Sequence, residues 1–414
     1  MTWIRSHMIA RTARVLATVC GVGLGFSRVL LAEGAPLPVV PPDLPAASAD
    51  GLIYLAGTDG VLRATTIDPA LQQRLTSYLA DSHSPIGGVV VADVHTGSIL
   101  AIAQGRRPDA WGGRTHTALH AGFPAASLFK TVVATAAFEV ADLDANASVG
   151  LTGGCSHVRE TGEWLRDHSP NDRSRMSMRT AFGKSCNGYF AKIGVNELGI
   201  GIITEFARRF GWETGVPADF KIEKSPFHPP VPQSASAHTV GSFAAGFGKV
   251  GLSAAHAAYI MLTIANRGAQ VPLRLFRDSP LPPPVAERRR IFGEDTADRL
   301  ASVLDASVKS GTSAFAFRRG KYRRIQDIVG GKTGTLTGSS PHGLTSWFAG
   351  LAPKDAPEVV VGSVVLLEAN WHIKGPNLAA EGLWSYFDLK LNQKAMNTAS
   401  FMPVASRENA KKTE

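Results

Sequence analysis

SLFKTVVATAAFEV occupies residues 127–140 and is the segment from which the architecture of the chain can be inferred. Its length and its alanine, valine and phenylalanine content predict a largely buried helix. Ser127 and Lys130 are three residues apart, a spacing that places two side chains on one helix face with Cβ atoms about 5–6 Å apart. A lysine buried there needs a polar partner. Because desolvation lowers the pKa of a lysine, Lys130 could take the proton of Ser127, whose hydroxyl is otherwise a weak nucleophile.

Taken alone, this spacing is more typical of a capping serine and a solvated lysine, so two further motifs matter. Ser185-Cys186-Asn187 lies in residues 177–198, which are predicted to be mostly helical, and in isolation it indicates only a turn or a helix start. Residues 332–335 follow the apolar segment 328–331 and are predicted to continue it as a strand. Successive side chains of a strand face opposite sides, so Lys332 and Gly334 would lie on one face and Thr333 and Thr335 on the other. In isolation they indicate only an exposed strand end.

Strands are predicted near both ends of the chain, with helices between them. Residues 88–94 and 98–103 predict a hairpin around a His-Thr-Gly turn. Further strands are predicted at residues 328–335, 345–351 and 359–367, and helices at residues 71–79, 253–266, 295–309 and 378–389. This order indicates one α/β (α+β) domain whose sheet is closed by distant segments.

Together and in this order, the three motifs resemble the signature of class A β-lactamases and penicillin-binding proteins. The chain as a whole resembles the transpeptidase domain of penicillin-binding proteins, over roughly residues 65–388. Further similar segments lie at residues 66–72, 96–101, 309–313 and 347–353. The resemblance implies a central antiparallel sheet flanked by helices, plus an all-helical subdomain.

The resemblance also implies a role for each motif residue. Ser127 would be the acylated nucleophile, Lys130 its base, and Ser185 the relay that passes a proton to the leaving amine. Asn187 would hold the amide of the donor peptide. The substrate carboxylate would be bound by the strand motif, Lys332, Thr333, Gly334 and Thr335, and the backbone N–H groups of Ser127 and Thr335 would form the oxyanion hole. No metal and no cofactor is implied.

The implied substrate is the D-Ala-D-Ala end of a peptidoglycan stem peptide, which β-lactams would mimic. We therefore expect a D,D-transpeptidase that these drugs inhibit. Three alternatives stay open: a D,D-carboxypeptidase with water as acceptor, a serine β-lactamase of the same fold, and a non-catalytic domain that senses β-lactams or peptidoglycan. Residues 391–414 lack the amphipathic anchoring helix usual in the carboxypeptidases, and Asn187 stands where class D β-lactamases usually have an apolar residue. All motif positions are filled, which argues against a domain that has lost catalysis.

The chain departs from the family before the nucleophile and carries one misleading motif. Pro124-Ala125-Ala126 precedes Ser127, where a Pro-Gly pair is usual. Residues 246–251 match the Gly-x-Gly-x-x-Gly fingerprint of dinucleotide sites, but no hydrophobic strand precedes them and no acidic residue follows about 20 positions on. We interpret this stretch as a glycine turn before a buried helix.

Residues 1–34 are predicted to be a signal peptide or an N-terminal anchor. Arg5, Arg11 and Arg14 precede an apolar run at residues 15–26, which as a helix would span about 18 Å of a hydrocarbon core of about 30 Å. Export predicts a periplasmic protein, and anchoring to the inner membrane stays open. In that oxidising compartment, Cys155 and Cys186 could form one disulfide or could stay reduced and buried.

Composition excludes several classes of function. The 414 residues carry a formal net charge of +9, but the basic runs are short and none is interleaved with aromatic residues, which argues against nucleic-acid binding. The charge would suit an anionic substrate or surface. Three cysteines exclude a disulfide-stapled scaffold and a zinc site with four cysteine ligands.

The expected layout is a single enzymatic domain with short flanking segments. Residues 35–64 are predicted to be a Pro-rich linker, 65–390 the transpeptidase domain, and 391–414 a disordered tail. This leaves no room for the glycosyltransferase of bifunctional relatives or for a large N-terminal pedestal. Other cell-wall synthesis proteins are therefore considered as partners that localise this short form.

Overall fold

The computed structural model describes residues 36–84, 86–105, 117–152, 154–155, 158, 165, 174–339, 342–367 and 373–400. The signal or anchor predicted at residues 1–34 lies outside these ranges, as does the tail beyond residue 400. The fold described below is that of the compact unit Pro38–Glu414. Among the described residues, no helix is both long enough and apolar enough to cross a bilayer.

The described chain contains both α-helices and strands. The α-helices are α1 Pro69–Asp81, α2 Lys130–Val140, α3 Met178–Lys184, α4 Asn187–Ile193, α5 Gly199–Arg209, α6 Ala237–Ala244, α7 Ala254–Ala265, α8 Glu294–Lys309, α9 Ala314–Phe317 and α10 Gly375–Ser400. The strands are β1 Tyr54–Ala56, β2 Leu62–Ala64, β3 Gly87–Asp93, β4 Ile99–Gln104, β5 Phe123–Pro124, β6 Ser148–Leu151, β7 Ser174–Ser177, β8 Phe227–His228, β9 Lys249–Leu252, β10 Gly330–Ser339, β11 His342–Ala352 and β12 Val359–Leu367. A 3₁₀ turn at Ala126–Phe129 leads directly into α2.

One five-stranded antiparallel sheet organises the fold, with the strand order β10-β11-β12-β3-β4. The predicted β3–β4 hairpin thus pairs with strands from the far end of the chain. Val89 and Val91 pack into one core with α1 and α10, whereas Val90 and Ala92 pack into the other with α2, α7 and α8. Because successive residues of a strand face opposite sides, both faces of the sheet are covered. The predicted fold class, a central antiparallel sheet flanked by helices, is confirmed.

The helical part of the fold, which includes α2, lies on the face of the sheet that carries Val90 and Ala92. Helices α2, α4, α5 and α6 contact one another. A two-stranded ribbon, β6–β7, accompanies them, so this part is mostly but not entirely helical. Strands of four residues show too little alternation for a sequence pattern to reveal them.

The segment predicted as a linker, residues 35–64, is only partly a linker, and this prediction needs correction. Strands β1 and β2 form an antiparallel hairpin at its C-terminal end. Ile53 and Leu55 are buried in the core, and Thr65, just beyond the hairpin, bridges to Phe276. Strands of three residues carry no recognisable period, and their burial depends on contacts with distant residues.

The last helix, α10, runs to Ser400 and so passes residue 390, where the domain was predicted to end. Leu391 is exposed.

Candidate active site

Ser127, the predicted nucleophile, lies at a sharp turn in front of α2. The residue before it, Ala126, has a left-handed φ of 51°, which is strained for a residue with a side chain. Two hydrogen bonds fix the approach to this turn. The indole Nε1–H of Trp347 donates to the carbonyl oxygen of Pro124 (2.8 Å), and the N–H of Ala125 donates to that of Val250 (2.8 Å). Strands β11 and β9 together hold the nucleophile in place.

Gly246 allows a second loop to approach the nucleophile turn. Its φ is +92°, and a Cβ atom there would lie 2.3 Å from the carbonyl oxygen of Ala126 and 3.3 Å from the backbone nitrogen of Ser127. A side chain at this position would force the neighbouring backbone to shift. The glycine-rich stretch at residues 246–251 therefore allows contact between backbones, and α7 follows it at Ala254.

We expect Gly246→Ala to destabilise the protein by roughly 1–3 kcal/mol, because the new methyl group would displace the backbone that precedes Ser127. Gly248→Ala is the matched control. Gly248 also has a positive φ, of +125°, but no heavy atom lies within 4 Å of its Cβ position. Urea unfolding of both variants separates the two causes: equal losses would show that backbone strain, and not the contact with Ala126, decides the effect.

Lys130, the predicted base, is fully buried at the first position of α2. Its Nζ lies 2.7 Å from Ser127 Oγ, 2.8 Å from Asn187 Oδ1 and 2.6 Å from the carbonyl oxygen of Ala245. Burial is the main cause that lowers the pKa of Lys130 well below its ordinary value, and the positive charge of Lys332 lowers this pKa further. The site therefore favours the neutral amine.

The partners of the Lys130 amine set the direction of its lone pair. A neutral amine has two N–H donors and one lone pair. Asn187 Oδ1 and the carbonyl oxygen of Ala245 can only accept, so they take the two N–H groups. The lone pair then accepts the hydrogen of the Ser127 hydroxyl, which can donate. The geometry thus directs the base at the proton that a nucleophilic serine must lose.

The second motif lies at a break between two short helices, within residues 177–198, which were predicted to be mostly helical. Helix α3 ends at Lys184, Ser185 has left-handed angles (φ 59°, ψ 41°), and α4 begins at Asn187. Residues i and i+2 of one helix do not share a face. The break instead lets Ser185 contact β10 while Asn187 contacts Lys130. Cys186, between them, is joined to Cys155 by a disulfide.

Lys332 lies on β10, at the edge of the sheet. Its Nζ donates to Ser185 Oγ at 2.9 Å and to the carbonyl oxygen of Thr333 at 3.0 Å. The side chain is fully buried, and this burial lowers the pKa of Lys332 to about 7. Two residues on, a Cβ atom at Gly334 would lie 3.1 Å from the carbonyl oxygen of Ala125, so β10 passes directly beside the nucleophile turn.

The two threonines of the strand motif differ in their surroundings. Thr333 Oγ1 lies 2.5 Å from Thr312 Oγ1, and the N–H of Thr312 donates to the carbonyl oxygen of Gly183 in α3. Thr335 is exposed. The structure therefore gathers the predicted residues of all three motifs around Ser127, with Thr335 at the solvent side.

Sequence reasoning missed three residues that shape this site. Ala245 acts through its carbonyl group, so no side-chain pattern could reveal it. Thr312 and Trp347 lie in segments that resemble the family, at residues 309–313 and 347–353, but no role was assigned to them. Their roles come from contacts with residues distant in the sequence.

A second serine beside a base does not form a competing site. His256 Nδ1 lies 2.6 Å from Ser225 Oγ, and its Nε2 lies 2.9 Å from the carbonyl oxygen of Phe210. Because that carbonyl only accepts, Nε2 carries the hydrogen and Nδ1 accepts from the serine. Both side chains are buried, so no substrate reaches them. Among the described residues, no cluster of histidine, cysteine, aspartate or glutamate could hold a metal ion.

Comparisons with known proteins agree on one family. The family model described as "Penicillin binding protein transpeptidase domain" matches residues 87–380. The Peptidoglycan D,D-transpeptidase PbpA of Mycobacterium tuberculosis is 27% identical over 344 residues, which cover 73% of this chain and 66% of the relative. The Penicillin-binding protein PbpB of Mycolicibacterium smegmatis is 24% identical over 352 residues, which cover 78% of this chain and 52% of the relative. The chain thus spans between about half and two thirds of these relatives.

A solved structure shows the same fold. The D,D-transpeptidase domain of a peptidoglycan glycosyltransferase from Eggerthella lenta superimposes with a TM-score of 0.64 at 20% identity. The match covers 83% of this chain and 98% of that domain. At this identity the likeness concerns the fold alone.

Proposed function

Because this chain belongs to the penicillin-binding protein transpeptidase family, we propose that it is a serine D,D-transpeptidase that cross-links peptidoglycan through an acyl-enzyme on Ser127. The proposed donor is a stem peptide that ends in D-Ala-D-Ala, and β-lactams would acylate the same serine. A relative named Peptidoglycan D,D-transpeptidase supports this reaction. The observation that carries the proposal is the fully buried amine of Lys130, 2.7 Å from the Ser127 hydroxyl.

Acylation begins when the proton of the Ser127 hydroxyl moves to the neutral amine of Lys130. The Oγ atom then bonds to the carbonyl carbon of the penultimate D-Ala, and negative charge develops on the carbonyl oxygen. The backbone N–H groups of Ser127 and Thr335 are proposed to stabilise that charge. Gly334 supports this role because it brings the strand that carries Thr335 beside the nucleophile turn.

Release of the terminal D-Ala breaks the C–N bond and requires a proton on the departing amine. Ser185 is proposed to give its hydroxyl proton and to regain one from charged Lys332, whose Nζ lies 2.9 Å away. In the second half-reaction, the amine of another stem peptide attacks the ester carbonyl and returns a proton through Ser185 to Lys332. Ser127 leaves with the proton held by Lys130, so both lysines regain their starting states.

Lys332 is also proposed to attract the carboxylate of the terminal D-Ala, together with the hydroxyls of Thr333 and Thr335. A buried cation attracts an anion more strongly than a solvated one. The pKa of about 7 suits a group that must both give and take a proton near neutral pH. Asn187 is proposed to hold the donor amide through its side-chain amide while it orients Lys130.

We propose that the enzyme acts in the periplasm, with residues 1–34 as an export signal or inner-membrane anchor. The Cys155–Cys186 disulfide supports this location because disulfides persist in oxidising compartments. Other cell-wall synthesis proteins are proposed as partners that bring the enzyme to its substrate.

The proposed reaction can be tested by intact mass spectrometry after addition of benzylpenicillin. We expect a long-lived adduct on the wild-type protein and none on Ser127→Ala, because the hydroxyl is the attacking group. A transient adduct with consumption of the drug would indicate a β-lactamase instead. No adduct on either protein would favour a non-catalytic sensor.

The acceptor can be tested with a synthetic stem peptide and a competing D-amino acid. A transpeptidase should exchange the terminal D-Ala for the added D-amino acid. Release of D-Ala without exchange would indicate a D,D-carboxypeptidase, in which water is the acceptor.

A further inference from the structure

A disulfide lies inside the second catalytic motif. Cys186 stands between Ser185 and Asn187, and its partner Cys155 lies 31 residues earlier, in the segment that follows β6. Cys186 is fully buried, whereas Cys155 is partly exposed. The only covalent cross-link among the described residues therefore connects this motif to a neighbouring segment.

Cys155 also contacts the start of α4 through its backbone. Its carbonyl oxygen accepts from the N–H of Asn187 (2.8 Å) and from that of Gly188 (3.2 Å). These N–H groups belong to the first turn of α4, where a helix has no partners of its own for them. The two segments also pack closely, since a Cβ atom at Gly188 would lie 2.9 Å from the carbonyl oxygen of Gly154.

The same turn carries the side chain that orients the base. Asn187 Oδ1 accepts one N–H of Lys130 and so helps to direct the amine lone pair at Ser127. A chain of contacts therefore leads from Cys155, through the disulfide and the backbone of Asn187, to the amine that activates the nucleophile. In this chain of contacts the two cysteines act on Lys130 only indirectly, through Asn187.

We propose that the Cys155–Cys186 disulfide is a positioning element for the proton transfer from Ser127 to Lys130, so that the enzyme is fully competent only when this bond is oxidised. The inference rests on the proposed acyl-enzyme function. The bond forms when the two thiols lose two protons and two electrons to a thiol–disulfide oxidoreductase of the compartment that receives the exported chain. A dithiol reductant reverses the step: it gives two electrons and two protons to the two sulfurs, which become thiols, and it is itself oxidised to a disulfide.

The first test compares the rate of benzylpenicillin acylation of the full chain before and after dithiothreitol, with the free thiols counted by alkylation and mass. We expect reduction to slow acylation by roughly tenfold to a hundredfold, the effect of displacing a catalytic group by about 1 Å. The double variant Cys155→Ala/Cys186→Ala is the matched control. It should acylate slowly with and without reductant, which excludes an effect of dithiothreitol elsewhere, including at Cys20.

The pH dependence of acylation distinguishes positioning from a general loss of stability. A carbonyl acceptor stabilises a charged amine more than a neutral one, so loss of the Asn187 contact should lower the pKa of Lys130 further. The reduced protein should show a lower maximal rate and an acidic limb moved to lower pH. The proposal would be overturned if the pH profile of acylation were unchanged on reduction and the acylation rate fell only in proportion to the fraction of folded protein.

Hydrogen exchange separates this inference from the proposed function. The amides of Asn187 and Gly188 should lose protection on reduction, whether or not the protein is acylated. If the oxidised protein forms no adduct but these amides lose protection on reduction, the proposed acyl-enzyme function is wrong, whereas the coupling between the disulfide and the start of α4 is supported. If acylation is equally fast in both redox states and protection is unchanged, the disulfide has no positioning role.

Discussion

Replacing Lys130 with methionine is expected to lower the rate of β-lactam acylation by roughly 10²–10⁴-fold, the usual contribution of a general base. The methionine side chain is of similar length and suits a buried position, but it cannot accept the proton of Ser127. It also removes the hydrogen bonds that the amine donates to Asn187 Oδ1 and to the carbonyl oxygen of Ala245. The measurement is the second-order acylation rate, taken with the melting temperature to establish that the variant is folded.

Lys221→Met is the control for this substitution, because Lys221 is an exposed lysine on which the proposed reaction does not depend. It should acylate like the wild type. A folded Lys130→Met protein that acylates within tenfold of the wild type would show that another group removes the serine proton. That result would remove the main physical support for the proposed mechanism.

Replacing Lys332 with methionine is expected to slow acylation by about tenfold to a hundredfold below pH 7. A hydrogen bond to a charged group contributes about 1.5–3 kcal/mol, and each 1.4 kcal/mol corresponds to about tenfold in rate. The variant loses the cation that attracts the substrate carboxylate and the partner of the Ser185 hydroxyl. Acylation rates measured against drug concentration should show weaker binding as well as slower reaction.

The same lysine should give the wild-type enzyme an alkaline limb. Since burial lowers the pKa of Lys332 to about 7, the charged form disappears as pH rises through that value, and acylation should slow. Arginine is not deprotonated in proteins, so Lys332→Arg keeps its charge and should lack this limb, whatever its absolute rate. A limb near pH 7 that persists in Lys332→Met and in Lys332→Arg would assign the titration to another group.

The shifted pKa also predicts how stability depends on pH. The unfolded chain has a Lys332 pKa of about 10.4, so between about pH 7 and 10.4 it binds more protons than the folded chain. The contribution of this group to the free energy of unfolding therefore rises with pH across that window, and the full cost of burying the charge remains below pH 7. Relative to wild type, Lys332→Met should be most stabilised at low pH. Urea unfolding between about pH 7 and 10.4 can measure how the difference in the free energy of unfolding between the two proteins falls as pH rises.

The sequence allowed the motif residues to be assigned but not all of their contacts. Ser127 and Lys130 are related by local helical spacing, which a sequence shows directly. The contact between Lys130 and Asn187 spans 57 residues, and that with Ala245 spans 115. Asn187 was assigned only to the substrate amide, because no local pattern indicates that its oxygen also orients the base.

The break at Ser185 shows a second limit of sequence reasoning. Residues 177–198 have the composition of a helix, and the left-handed conformation of Ser185 opposes the local preference of the chain. Contacts with Cys155 and Lys332 hold the break in place. Such strain at a functional residue is maintained by distant neighbours and therefore cannot be inferred from the residues around it.

The strand order of the central sheet has a consequence for the order of events during synthesis. All three motifs have been made once residue 335 is reached, yet the edge of β3 that does not pair with β4 has no partner until β12, at Val359–Leu367, exists. Contacts between such distant segments make folding slow, because a long loop must close before any pairing compensates for its lost entropy. A chain stopped before β12 would carry every catalytic side chain but lack the strand that joins β10 and β11 to the β3–β4 hairpin. The active site would therefore assemble only after the last strand arrives.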